Sequence, residues 1–130
     1  MAQRKTKRNI NKVFALLKVL TKDKRYNSES YSFVMASLDH TTKNLKRKGH
    51  VTGQELLDGI KEYALEQFGP MARTVLEHWG ITTTNDFGEI VFNMISAGIL
   101  GKSENDSKTD FNNRFNFEIA FDRGCRYSLH

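Results

Sequence analysis

The sequence contains very few of the residues that cross-link or interrupt a small fold: its 130 residues include one cysteine, one proline and one tryptophan. The lone cysteine, Cys125, excludes an internal disulfide framework, which fits a reducing compartment without requiring one. No run is long and apolar enough to span a membrane. The apolar run at residues 13–20 is short, contains Lys18 and is followed by no small-residue cleavage site. We therefore expect a cytoplasmic protein of one domain without a targeting signal.

Motifs that carry chemistry are also missing. The sequence contains no glycine-rich phosphate loop, no nucleophile elbow and no zinc-binding helix motif. Its histidines have no metal-ligand spacing with one another or with the cysteine; they are His40, His50, His78 and His130. The sequence therefore predicts a non-enzymatic protein with no metal ion, no cofactor and no catalytic residues.

What the sequence does have is positive charge concentrated at one end. The formal net charge is +5, but residues 1–25, called the basic head below, carry nine Lys or Arg against Asp23 alone. Residues 51–122 carry five basic residues against twelve acidic ones. A dense cationic segment binds a nucleic-acid backbone through counterion release, without reading its sequence. The candidate nucleic-acid-binding residues are Arg4, Lys5, Lys7, Arg8, Lys12, Arg25, Lys43, Lys46, Arg47 and Lys48.

Other interpretations of the basic head stay open. Runs of lysine and arginine near a terminus are often only solubilising. Attachment to anionic lipid is a third interpretation, because Lys12, Lys18 and Lys22 flank an apolar stripe. We expect that stripe to be buried against the next helix, which disfavours lipid, and the leading hypothesis is RNA or DNA, with the ribosome or another RNA-rich assembly as partner. The stripe consists of Ile10, Val13, Phe14, Leu17 and Leu20.

Helical periodicity and capping residues predict helices along most of the chain. Asn9 or Asn11 is a candidate cap for the first helix, and Ser28 is a candidate cap for the second. Thr52 and Glu55 form a capping box that predicts the start of a third helix.

Residues 72–100 are typical of two further helices joined by one tight turn. Gly80 suits the left-handed residue that ends the first of them, and Trp79 before it is predicted to be substantially buried. Asp86, with Glu89 three residues later, predicts the cap of the second helix. This arrangement is characteristic of a helix-turn-helix.

Alternating apolar residues after the helix-turn-helix predict a strand, and the extended pair at residues 99–100 is its nearest partner for a hairpin. The alternating residues are Phe115, Phe117, Ile119 and Phe121. Residues 51–122 therefore resemble a winged-helix domain. The predicted fold class is mainly α with a small β-hairpin (α+β), a winged-helix-like domain preceded by two helices. The predicted divisions are a flexible basic arm at 1–9, a single domain at 10–122 and a tail at 123–130.

The winged-helix resemblance implies duplex binding, with the second helix of the motif in the major groove. The outward face of that helix carries two carboxylates and no Lys or Arg, and carboxylates repel phosphates. An acidic face suits a protein partner instead. The alternative hypothesis is therefore a protein–protein interaction module that uses the acidic body. Its candidate partner-binding residues are Asp86, Glu89, Phe92 and Asn93.

Three strings carry a second resemblance: HVTGQELLDGI at residues 50–60, WGI at residues 79–81 and DFGEIVFN at residues 86–93. They are similar to strings in a family of small uncharacterised bacterial proteins. This resemblance implies a bacterial cytoplasmic protein and contributes no catalytic residues.

Overall fold

The fold is mainly α-helical, as predicted. The computed structural model describes residues 3–4, 9–46, 50–103 and 106–123. A 3-10 turn at Gly69–Met71 leads into the fourth helix, and Pro70 lies at the start of this turn, where its missing N–H leaves no bond unmade. The α-helices in the described ranges are α1 (Asn9–Lys22), α2 (Ser28–Leu45), α3 (Gly53–Phe68), α4 (Ala72–His78) and α5 (Thr84–Ser96).

Local capping starts α2 and α3. The Thr52 hydroxyl accepts from the Glu55 N–H at 3.1 Å, and the Glu55 carboxylate accepts from the Thr52 N–H at 3.0 Å, so the predicted capping box of α3 is confirmed. The cap of α2 is Asn27, which accepts from the Ser30 N–H at 3.0 Å. The prediction of Ser28 as this cap is wrong by one residue, because Asn and Ser are equally good caps and only the backbone register chooses between them.

The start of α5 also differs from the prediction. Its N-cap is Thr83, and Asp86 is the third helical residue rather than the cap. The Asp86 carboxylate accepts from the N–H groups of Thr82 and Thr83 at 2.9 and 3.1 Å. A carboxylate in the first turn accepts hydrogen bonds from exposed N–H groups and interacts favourably with the positive end of the helix dipole. Asp86 therefore stabilises the helix from this position as well.

The predicted strand after α5 is wrong. Phe117 is helical, and Glu118–Arg123 forms a π-helix. The Asn116 side chain starts this turn by accepting from the Ile119 N–H at 3.2 Å. Phe117 and Phe121, four residues apart, are both buried with ring centroids 5.0 Å apart, whereas Ile119 is 57% exposed. The buried residues therefore follow a helical spacing rather than an alternating one.

A small sheet forms from another part of the chain. β1 (Gln3–Arg4) pairs antiparallel with β2 (Leu100–Gly101), with Gln3 opposite Gly101. The extended pair after α5 therefore takes its partner from the basic head, and the described ranges contain no hairpin wing. The rest of the predicted arm up to residue 8 and the tail beyond residue 123 lie outside the described residues.

Helix α5 is at the centre of the fold. It contacts α1, α2, β2 and the 3-10 turn at Lys108–Phe111. In the described structure Ser96 is its one exposed residue. Burial on this scale is typical of a core helix. The apolar face of α5 is buried at Phe87, Ile90, Val91 and Met94.

The predicted inner face of α1 is wrong. Val13, Phe14 and Leu17 are 55, 60 and 52% exposed, whereas Val19 is buried. Leu20 is half-buried. Apolar residues occupy much of the circumference of α1, so periodicity does not decide which side meets the core. Val13, Phe14 and Leu17 form a solvent-exposed apolar stripe, called the α1 stripe below.

Trp79 is half-buried and packs against the core, so its predicted burial is confirmed in part. It caps the end of α4, and its ring lies against Phe33 of α2 and Phe68 of α3 with centroids 5.6 and 5.8 Å away. Its indole N–H donates to the Glu29 carboxylate at 3.1 Å. This polar partner near solvent keeps one edge of the ring at the surface.

The packing of α3 on α2 depends on Gly59. A Cβ atom on Gly59 would lie 1.7 Å from Thr41 Oγ1 and 2.9 Å from Thr41 Cβ. Thr41 is buried, and its hydroxyl donates to the Ser37 carbonyl at 2.7 Å, so it cannot turn away without losing that hydrogen bond. The missing side chain at Gly59 therefore sets how closely the two helices approach.

We predict that Gly59→Ala lowers the free energy of unfolding by about 1–3 kcal/mol, because overpacking a dense core costs that much. At an uncrowded helical position, glycine to alanine would instead stabilise the protein by about 1 kcal/mol through helix propensity. The sign of the change in the free energy of unfolding therefore distinguishes the two cases. Urea unfolding followed by far-ultraviolet circular dichroism measures it. Asp58→Ala at the exposed neighbouring position is the control, with an expected change within about 0.5 kcal/mol. A more stable Gly59→Ala protein would contradict the prediction.

Candidate nucleic-acid interface

The loop between α1 and α2, called the docking loop below (residues 23–27), is fastened to α5 by an ionic network. Arg25 donates to the two carboxylate oxygens of Asp23 at 2.9 and 2.7 Å and reaches Glu89 of α5 at 3.1 Å. Asn93, one turn further along α5, donates to Asp23 at 2.8 Å. The single acidic residue of the basic head is therefore neutralised within the fold.

Tyr26 and Gly80 complete the docking. Tyr26 is 3% exposed, and its hydroxyl donates to the Asp86 carboxylate at 2.5 Å. Gly80, in the turn between α4 and α5, has a φ of +87°, and a Cβ atom there would lie 2.6 Å from the carbonyl oxygen of Arg25. The predicted left-handed glycine is confirmed. It is required both for its backbone conformation and for the close approach of the docking loop.

These contacts shift the ionisation of the docking loop. Hydrogen bonds from the Arg25 guanidinium hold the pKa of Asp23 well below its ordinary value. Burial, followed by the hydrogen bond to Asp86, raises the pKa of Tyr26. At neutral pH Asp23 is therefore ionised and Tyr26 is protonated, which are the states that the network requires.

The residues predicted to bind a protein partner lie within this network. Asp86, Glu89 and Asn93 bond to the docking loop, as described above. Phe92 is half-buried against the core. Their involvement in binding another protein stays a prediction. The same contacts cover the side of α5 that a helix-turn-helix protein would place in the major groove.

A groove of about 670 Å³ lies between α1 and the end of α5. Lys18 and Lys22 are exposed along it, and Phe14 of the α1 stripe lines it. Asp23 is the acidic residue among its described lining residues, and Arg25 already pairs with it. The groove, called the α1 groove below, therefore combines apolar, amide and cationic groups without an unpaired carboxylate. Residues that line it include Phe14, Leu17, Lys18, Lys22, Asn93 and Ser96.

The basic residues predicted to bind nucleic acid fall into three groups. Lys43 and Lys46 are exposed at the end of α2, and Arg25 is exposed but paired with Asp23 and Glu89. The backbone of Arg4 is in β1 and that of Lys12 is in α1, but their side chains are outside the described structure. The remaining predicted residues lie outside the described ranges; they are Lys5, Lys7, Arg8, Arg47 and Lys48.

Lys18 and Lys22 are not among the residues predicted to bind nucleic acid, because the sequence assigns them a role only in the lipid interpretation. It also places Phe14 in the core. The available signal for the lysines is their spacing, since residues four apart lie on one side of a helix. Phe14 has no such signal, because α1 is apolar on both its buried and its exposed sides. Its position at the groove follows from the packing of α1 against the rest of the fold.

No family model, curated protein or solved structure matches this chain. The resemblance to a family of bacterial proteins therefore stays a prediction. Within the described ranges, no helix has the length and apolar character to cross a membrane. In the same part of the chain, no group of three or more His, Cys, Asp or Glu side chains is placed to hold a metal ion.

We predict that Tyr26→Phe lowers the free energy of unfolding by about 1.5–3 kcal/mol, because a hydrogen bond to a charged acceptor contributes that much. Chemical unfolding monitored by circular dichroism measures the loss. Tyr63→Phe is the matched control, since the Tyr63 hydroxyl has no hydrogen-bond partner among the described residues, and it should change stability by less than about 0.5 kcal/mol. Equal losses in the two variants would show that the Tyr26–Asp86 bond has no special role.

Asp23 should make stability depend on acid pH. Because its pKa is lowered in the fold, it stabilises the protein above its ordinary pKa of 3.8, and this contribution is lost as the pH falls below that value. Asp23→Asn should therefore lower stability at neutral pH and flatten the decline between about pH 5 and pH 2. Urea unfolding at each pH measures this, with Asp58→Asn as the control. An unchanged slope for Asp23→Asn would refute the assignment.

Proposed function

We propose that this protein is a non-enzymatic, cytoplasmic binding module that associates with RNA or DNA through its basic head, without sequence specificity. The observation that carries the proposal is the exposed side of α1, where Lys18 and Lys22 stand beside the α1 stripe and the α1 groove. Lysines neutralise backbone phosphates, and the release of counterions supplies most of the affinity.

The electrostatics of the basic head support an anionic ligand. Asp23 is held by Arg25 and Asn93, so its charge does not offset the lysines. Lys43 and Lys46 add two exposed cations at the end of α2. Because residues 51–122 carry five basic and twelve acidic residues, the charges that would attract phosphate lie before residue 50.

Phe14 adds a preference for single strands. Its side chain is 60% exposed and lines the α1 groove beside the lysines. An exposed aromatic ring next to cationic side chains is a stacking surface for an unpaired base. The bases of a duplex are already stacked on one another, so we expect tighter binding to single-stranded RNA or DNA than to duplex.

Major-groove reading by α5 fits the geometry poorly. This helix is enclosed by α1, α2 and the turn at Lys108–Phe111, and its acidic side bonds to the docking loop. The winged-helix resemblance therefore contributes a folded platform to the proposal and no reading helix. The alternative, protein–protein interaction through the acidic body, relies on Asp86, Glu89 and Asn93, whose side chains already have partners inside the fold.

Fluorescence anisotropy with labelled single-stranded RNA across a salt series tests the proposal. Lys18→Gln/Lys22→Gln should reduce the slope of log affinity against log salt by about 1.4, or about 0.7 for each lost phosphate contact. Lys61→Gln/Lys108→Gln removes the same charge outside the basic head and should leave the slope unchanged. Replacing all four basic residues of the arm with glutamine should lower the slope by about 2.8, and the variant retains the backbone that forms β1. The four arm residues are Arg4, Lys5, Lys7 and Arg8.

Substitutions at Phe14 separate stacking from simple apolar contact. Phe14→Leu should weaken single-strand binding by about 5- to 150-fold, because stacking on one base contributes about 1–3 kcal/mol. Phe14→Tyr keeps the ring and should bind as the unaltered protein does. Neither change should affect binding to a duplex of the same length.

The negative outcomes are distinct. If no form binds at low salt, nucleic-acid association is wrong and the protein-interaction alternative becomes the better account. If anionic phospholipid vesicles are bound under conditions where RNA is not, the α1 stripe contacts lipid instead. If the control lysine pair loses as much affinity as Lys18 and Lys22, the binding depends on net charge and not on the basic head.

A further inference from the structure

A second groove, of about 350 Å³, lies between α2, α3 and the end of α4, and its walls are aromatic. Tyr63, Phe68 and Trp79 are half-buried in it, and Phe33 behind them is 6% exposed. None of these residues belongs to the basic head, to α1 or to the docking loop. The site, called the aromatic groove below, is therefore independent of the proposed nucleic-acid function.

The four rings form one cluster, in which Phe33 contacts each of the other three. The Phe33 centroid lies 5.6 Å from those of Tyr63, Phe68 and Trp79, at interplanar angles of 37°, 30° and 52°. Phe68 and Trp79 meet edge to face at 5.8 Å. The planes of Tyr63 and Trp79 are inclined to that of Phe33, so the aromatic wall of the groove is not flat.

The charge of the aromatic groove has one sign. Glu29, in the first turn of α2, is the one charged residue among the described residues that line it. The Trp79 indole N–H donates to the Glu29 carboxylate at 3.1 Å, which places the charge at the edge of the aromatic wall. Ring faces and a carboxylate both attract cations, so the two features favour the same class of ligand.

We propose that the aromatic groove binds a quaternary ammonium group. A lysine-type ammonium is strongly hydrated and carries three N–H donors that need acceptors. The groove has one carboxylate, and Trp79 already donates to it. A quaternary ammonium carries no N–H, so its methyl groups contact the rings while its charge is attracted by the ring faces and by Glu29. A small molecule such as choline and a trimethylated lysine side chain present the same group.

Trp79 is the only tryptophan in the chain, so its fluorescence reports on this groove alone. The purified full-length protein is titrated with choline chloride at constant ionic strength, and the Trp79 indole N–H resonance is followed in parallel by nuclear magnetic resonance. The matched probe is 3,3-dimethylbutan-1-ol, which has the shape of choline with carbon in place of the charged nitrogen. We expect saturable binding of choline and at least tenfold weaker binding of the alcohol.

Two substitutions test the roles of charge and ring. Glu29→Gln keeps an oxygen acceptor for Trp79 but removes the charge, so it should weaken choline binding about threefold to tenfold and leave the alcohol unaffected. Tyr63→Leu removes one ring and should weaken choline binding as well. Glu66→Gln makes the same charge change at an exposed position of α3 that does not line the groove, and it should have no effect. Circular dichroism confirms that each variant folds.

A titration with peptides distinguishes the two sources of the quaternary ammonium group. A short neutral peptide with one trimethyllysine that binds tighter than choline would assign the groove to a methylated protein, and the reverse order would assign it to a free small molecule. The unmethylated lysine peptide should bind at least tenfold more weakly than the methylated one. The proposal is overturned if the alcohol binds as tightly as choline, if Glu66→Gln matches Glu29→Gln, or if neither Trp79 signal shows saturation.

Discussion

The arrangement of the fold depends on the docking of the loop at residues 23–27 against α5. Tyr26 is buried, and its hydroxyl donates to Asp86 in the first turn of α5. Asp23 accepts from Asn93 near the other end of α5. Polar groups in such a partly buried network cost free energy when they lose a partner, so the network favours one arrangement. Gly80 permits it, because any side chain there would collide with the Arg25 carbonyl.

This docking also decides which surfaces are open to a ligand. It covers the acidic side of α5, so that helix serves as the centre of the core. It also pairs Asp23, the one carboxylate of the basic head, with Arg25. The charge of Asp23 therefore does not offset the exposed charges of Lys18 and Lys22. The α1 groove and the aromatic groove therefore differ in chemistry: one presents cations beside a single exposed ring, and the other presents several rings beside the carboxylate of Glu29.

Sequence patterns failed where one set of residues satisfies two periodicities. Phe115, Phe117 and Phe121 alternate with polar residues, but Phe117 and Phe121 are also one helical turn apart. Packing of Phe117 on Phe87 of α5, with ring centroids 6.0 Å apart, and the cap supplied by Asn116 select the helical turn. In α1 the ambiguity is which side of the helix is buried, because apolar residues on either side could pack against the core.

By itself the sequence determined the existence of helices α1 to α5, the capping box at Thr52, the left-handed turn at Gly80 and the separation of charge along the chain. These are properties of residues close to one another in the chain, so local patterns reveal them. Only the tertiary structure decided which side of α1 is buried, that Gln3–Arg4 pairs with β2, and that the docking loop bonds to the acidic side of α5. The bonds from the docking loop to α5 join residues 60 to 70 positions apart, and no local pattern encodes such contacts.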